Sequence, residues 1–102
     1  MKKVIHGKRY DTNTATELAY YSNLLSKRDF KWCEETLYRK QGGEFFLHGA
    51  GGGLSAYAQA YPNTGYGDGE QIIPMSEESA RQWCEMRLSY DEYVRIFGEV
   101  EE

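Results

Sequence analysis

The stretch FKWCEETLYRKQGGEFFLH, residues 30–48, constrains this chain more than any other. Residues 30–40 carry Trp32, Thr36, Leu37 and Tyr38 among interspersed polar side chains, the composition of a strand. Gln41-Gly42-Gly43 supplies a turn, and EFFLH over 44–48 reads as the returning strand. A β-hairpin there makes an antiparallel sheet the scaffold, and the remaining elements must cover it.

The flanking sequence supplies candidates for that cover. Residues 2–6 read as a short strand, Gly7-Lys8 as its turn and Tyr10 as part of a second short strand. Thr14 followed by Glu17 fits a capping box, and Ala15, Leu18, Ala19 and Ser22 share a helical face. An N-terminal helix ending near Asn23 is therefore expected, followed by a connector over 24–29 with Lys27 and Arg28 exposed. The glycines of 49–53 are expected to break the sheet at a strand-to-helix turn with positive φ. Residues 54–61, with Leu54, Tyr57, Ala58 and Tyr61 at helical spacing, suggest a short helix. Residues 62–69 read as a loop and 70–75 as a third strand, whose Pro74 belongs at a sheet edge.

Ser76 is placed to cap a helix with Glu77 and Glu78 in its first turn and Ala80, Trp83, Cys84 and Leu88 as its apolar stripe. A second helical segment starts at Ser89, repeats the spacing with Tyr90, Tyr93, Val94 and Phe97, and meets a C-capping Gly98. Residues 99–102 form an acidic tail. The fold expected is one α+β domain: a small antiparallel sheet with a central hairpin, packed by an N-terminal helix and a C-terminal helical pair. Its core would hold Ile5, Leu18, Leu37, Phe45, Leu47, Ile72, Ala80, Trp83, Leu88, Val94 and Phe97.

A chain of 102 residues with 40% apolar side chains can bury one core without covalent staples. Nine tyrosines against four phenylalanines place many rings at the core margin or in an interface, where the hydroxyl stays wet. Cys33 and Cys84 lack CxxC spacing and read as small apolar residues. With no secretory leader and no apolar run near the ~20 residues of a membrane helix, a cytosolic location with reduced thiols is expected.

Charge divides the chain. Residues 1–40 hold nine Lys/Arg against five Asp/Glu, a net of +4, and residues 41–102 hold three against eleven, a net of -8. Two binding readings follow. The acidic reading uses Glu77, Glu78, Glu85, Asp91 and Glu92, a carboxylate row on consecutive helical segments that would offer a basic partner what a nucleic acid offers. The basic reading uses Lys27, Arg28, Lys31, Arg39 and Lys40, interleaved with aromatic residues, to hold nucleic acid, although the overall charge of -4 argues against it. Opposite charges would also let two protomers associate.

Catalytic constellations are hard to assemble. HGAGGGLSAY lacks the GK[ST] of a phosphate loop, no GxSxG occurs, and Glu34 and Glu35 would point to opposite faces of a strand. His6, His48, Cys33 and Cys84 have no metal-ligand spacing. Neither an enzyme, a metal site nor a cofactor is expected.

Three stretches, VIHGKRYDTNTATELAYYSN, ETLYRKQGGEFFLHGAGGGLSAYAQ and GEQIIPMSEESARQWCEMRLSYDEYVRIFGEV, resemble a group of small proteins carried on phages and conjugative elements of Gram-positive bacteria. Ala50 departs from that pattern, in which an acidic residue is common after the first glycine. The resemblance implies a context rather than a chemistry. Short accessory proteins of such elements often inhibit host defences, as anti-CRISPR proteins do, many of them small, acidic and aimed at the nucleic-acid groove of a Cas effector. It therefore implies a protein partner, such as a Cas effector or another defence nuclease.

Overall fold

The computed structural model describes all residues, 1–102. Its centre is a four-stranded antiparallel sheet of β3 (Thr16–Ser22), β4 (Cys33–Arg39), β5 (Phe45–Gly51) and β8 (Gly69–Met75), in the order β3-β4-β5-β8. The expected hairpin is its middle pair, registered from Cys33 opposite Gly51 to Arg39 opposite Phe45. Phe30 and Trp32 lie before β4 rather than in it. β8 is an edge strand, where Pro74, opposite Phe46, does not interrupt a ladder on both sides.

The expected N-terminal helix is instead strand β3. Asp11 ends the preceding hairpin in a tight turn, its Oδ1 accepting from the Asn13 amide at 2.9 Å and its carbonyl from the Ala15 amide at 3.2 Å. The chain then pairs with β4, and a β-bulge lies between Glu17 and Ala19. The bulge explains the misreading. It turns the consecutive residues Leu18 and Ala19 both into the core, which breaks the period of two and imitates helical spacing. Arg95 Nη2 donates to the Leu18 carbonyl at 3.0 Å, so this edge is partly closed at the bulge.

The C-terminal helical pair is present. α1 (Glu77–Arg87) is capped by Ser76, whose side chain accepts from the Ser79 amide. α2 (Tyr90–Phe97) is capped by Ser89 in a full capping box with Glu92, and Gly98 closes it at φ 88°. The pair covers one face of the sheet. Ala80, Trp83 and Cys84 meet Leu18, Ala19, Leu37, Phe45 and Leu47, with Leu88, Tyr93 and Phe97 half-buried at the margin.

The other face is covered by a second sheet layer, the hairpin of β1 (Lys2–Ile5) and β2 (Lys8–Asp11). Its turn, His6-Gly7, has φ of 50° and 77°, the left-handed pair that a two-residue hairpin needs. Tyr10 packs edge-on to Phe46 at 5.5 Å, Tyr38 stacks on Phe46 at 5.1 Å, and Ile72 completes this smaller cluster. Phe46, fully buried between the sheet and this hairpin, was not among the expected core residues.

The glycine run does not break the sheet, and no helix follows it. β5 continues through Gly51. Positive φ is not the reason for these glycines, since none from Gly49 to Gly53 has it. They admit close neighbours: a Cβ on Gly49 would strike the Tyr57 ring, one on Gly51 the Ser55 side chain, and one on Gly52 the Phe30 carbonyl and the Trp32 ring. Within 54–61, Ser55 Oγ donates to the Gly52 carbonyl and accepts from the Tyr57 amide, which closes a turn where a helix was expected. The chain then forms a small hairpin of β6 (Gln59–Tyr61) and β7 (Gly65–Gly67), so the expected 62–69 loop contains a strand. No helix is long and apolar enough to cross a membrane.

Candidate functional site

Hydrogen bonding closes residues 23–32 into a compact loop between β3 and β4. Asn23 is its clasp: the backbone amide donates to the Cys33 carbonyl at 3.1 Å, Nδ2 donates to the Lys31 carbonyl at 2.8 Å, and Oδ1 accepts from the Cys33 amide. Inside the loop, Ser26 Oγ accepts from the Arg28 amide and Asp29 Oδ1 from the Lys31 amide. The 52–54 segment braces it, with the Gly52 and Leu54 amides donating to the carbonyls of Trp32 and Phe30. Such loops, tied by their own side chains, carry function more often than plain connectors do.

What this loop displays is unusual for a surface. Leu24 is 91% exposed, Phe30 69% and the adjoining Leu54 68%. Leu24 also sits at φ 65°, a region that costs a bulky residue of order 1–3 kcal/mol. Arg28 and Lys31 make no ion pair, while Lys27 lies 3.5 Å from Glu34 and 5.5 Å from the centre of the Trp32 ring. These apolar side chains stand in water beside the unpaired cations of the same loop.

The five basic residues do not form one patch. β4 separates Lys27, Arg28 and Lys31 from Arg39 and Lys40 by roughly 20 Å, the rise of seven strand residues. Lys40 is already engaged, with Nζ 3.6 Å from the centre of the Tyr10 ring and 3.9 Å from Glu44.

The five acidic residues all lie on α1 and α2 but have different partners. Glu77 accepts from Arg81 Nε at 3.1 Å, and Glu92 accepts from the Ser89 amide and hydroxyl in the capping box. Glu78, Glu85 and Asp91 are exposed and make no side-chain hydrogen bond or ion pair. Glu85 lines a hollow of about 430 Å³ between the helices, whose walls are Leu88, Tyr90, Tyr93 and Val100, with Cys84 at its base. Tyr90 donates to Glu99 at 2.9 Å across this region. Burial and the nearby Glu85 push the Cys84 thiol up to about 11, so the base of the hollow is an unreactive apolar surface.

The sequence reading set Glu35 aside as half of an unpaired strand couple and missed the partners that gather on it. Glu34 and Glu35 do point to opposite faces, Glu34 accepting from the Tyr20 hydroxyl and Glu35 from Tyr57. Glu35, with its side chain only 12% exposed, also accepts from Trp83 Nε1 at 2.9 Å and lies 3.7 Å from Arg87 Nε. Burial first, and then this carboxylate, raises the Tyr57 hydroxyl well above its ordinary value. Trp83, Tyr57 and Arg87 come from three distant segments, so no spacing in the sequence announces the cluster. Every Glu35 contact joins α1 or the 49–57 segment to the sheet, an arrangement that fastens the fold. Arg87 also lies over the Tyr21 ring, its guanidinium 4.3 Å from the ring centre.

Two surfaces of opposite character thus stand out, an apolar hollow with the free Glu85 carboxylate in its wall and a loop that exposes Leu24 and Phe30 beside the unpaired Arg28 and Lys31. Compared with known proteins, the chain matches no family model, no curated protein and no solved structure.

Proposed function

We propose that this is a non-catalytic protein-binding protein whose α1–α2 surface receives a basic partner. The observation that carries this reading is an open apolar hollow between two helices with the free Glu85 carboxylate in its wall, on a helical pair that also carries the free Glu78 and Asp91. Apolar walls supply the affinity of burial, and the acidic border selects a partner with Lys or Arg beside its anchoring side chain. The resemblance to accessory proteins of phages and conjugative elements suggests which proteins to test: host nucleases with basic grooves, including Cas effectors, which such a surface would inhibit by occupancy.

The triple variant Glu78→Lys, Glu85→Lys, Asp91→Lys tests the reading and leaves the Ser89–Glu92 capping box intact. Its capture of proteins from a nuclease-treated bacterial lysate is expected to fall at least tenfold relative to wild type, with an unchanged circular dichroism spectrum. Equal capture by both proteins would remove the acidic surface from the mechanism.

A second reading rests on the clustering of Lys27, Arg28 and Lys31 with exposed Phe30 on one loop. Those residue types hold single-stranded nucleic acid by phosphate contact and base stacking. Salt-sensitive retention on single-stranded DNA that disappears in a Phe30→Ala variant is its expected sign, and no retention at low salt would end it.

A further inference from the structure

The hollow and the loop are complementary to each other. The hollow has apolar walls with the Glu85 carboxylate among them, and the loop offers Leu24 and Phe30 with Arg28 and Lys31 beside them. Both lie toward the same end of the central sheet. Arg87, the last residue of α1, lies over Tyr21, two positions before the Asn23 clasp, and the hollow's Leu88, Ser89 and Tyr90 follow Arg87 directly.

We propose that the occupant of the hollow is the 23–32 loop of a second copy of this chain, and that the exchange is mutual. This rests on the reading of the α1–α2 surface as a receptor for a basic, apolar segment, and adds who supplies that segment. A loop and a receptor at one end suit a two-fold axis, in which each protomer gives its loop and receives its partner's. The pairing closes after two copies, because each loop and each receptor is used once across the axis. Phe30 and Leu24 would enter the hollow against Leu88, Tyr90 and Tyr93, while Arg28 and Lys31 approach Glu85 in its wall.

Nucleic acid fits this loop less well. Asp29 lies among the cations, Lys27 is shared with Glu34, and the protein as a whole carries -4. Phosphate tracking favours a continuous basic surface, which the separation of Arg39 and Lys40 removes. The loop's aliphatic Leu24 gains nothing from base stacking but does gain from an apolar wall.

The test is sedimentation equilibrium of the purified full chain, at low and high salt, from micromolar to millimolar protein. The expected result is a reversible monomer–dimer equilibrium that weakens about tenfold or more at high salt. Two reversed variants sharpen it: Arg28→Glu with Lys31→Glu in the loop, and Glu78→Lys with Glu85→Lys and Asp91→Lys on the helices. Each is expected to be monomeric alone, and their equimolar mixture to dimerise, because each then meets an oppositely charged surface. A folded wild type that stays monomeric throughout, or a mixture that stays monomeric while wild type dimerises, overturns the proposal. Retention of a monomeric wild type on single-stranded DNA overturns it in favour of nucleic acid. A monomer that still captures a lysate protein through its carboxylates sinks the dimer alone and leaves the receptor reading standing.

Discussion

The two ends of strand β4 are built on different principles. Toward Arg39 the sheet is dry on both faces: Leu37, fully buried, lies under α1, and Phe46 beside it is enclosed by Tyr10 and Tyr38. Toward Cys33 the sheet is held by polar links, the Glu35 carboxylate joining Trp83, Tyr57 and Arg87, and the Asn23 amide closing the loop. The first end buries its large apolar residues, and the second buries Trp32, Tyr57 and Trp83 but leaves Leu24, Phe30 and Leu54 in water. Apolar enclosure thus dominates at one end, and at the other polar ties hold the exposed loop in one shape without covering it.

Truncation should expose this difference most plainly. Leu37→Ala is expected to cost ~2–5 kcal/mol, because a fully enclosed side chain leaves a cavity that the sheet cannot close. A loss under ~1 kcal/mol in urea titration would mean that the Arg39 end is not the stable end.

Gly49→Ala probes the boundary between the two ends. Its methyl group would collide with the Tyr57 ring, an overpacking that costs ~1–3 kcal/mol. The same change in a Tyr57→Ala background should cost much less, and a double-mutant cycle showing no coupling would refute the close approach.

Alkaline pH tests the polar ties with a smaller effect. The Tyr57 proton is held more tightly in the folded chain than its ordinary value of 10.0 allows, through burial and the Glu35 carboxylate. Its contribution is complete below pH 10 and is lost as the pH rises through the raised folded value. Wild type should therefore lose more stability than Tyr57→Phe when denaturation is compared below and above pH 10. Parallel losses in the two proteins would mean that Tyr57 keeps no extra hold on its proton.

The smallest effect on stability belongs to the loop. Phe30→Ala removes an exposed ring and should change the unfolding free energy by less than about 0.5 kcal/mol, while abolishing the self-association proposed above, as read by sedimentation. A loss of several kcal/mol would show that Phe30 supports the fold and is not free for a partner.

Much of this architecture could be read from local signals. The 30–48 hairpin, the Ser76 and Ser89 caps, the Gly98 stop and the edge role of Pro74 each depend on chemistry within a few residues. The acidic row was visible for the same reason, since helical spacing sets which carboxylates share a face. What it did not reveal is that the Glu77 and Glu92 carboxylates are engaged by Arg81 and Ser89, while Glu78, Glu85 and Asp91 are left free and Glu85 lines an apolar hollow.

The sequence by itself determined an antiparallel hairpin, two capped helices and a division of charge along the chain, because those depend on residue type and short spacing. Tertiary structure alone decided that residues 16–22 are a strand, since an open neighbour in β4 and one bulge outweighed a helical pattern and a capping-box signature. It also decided that the glycines of β5 make room for Tyr57 and Ser55, and that the basic residues separate to the two ends of one strand. Those outcomes depend on which distant segments meet, and no local propensity encodes the contact that only packing creates.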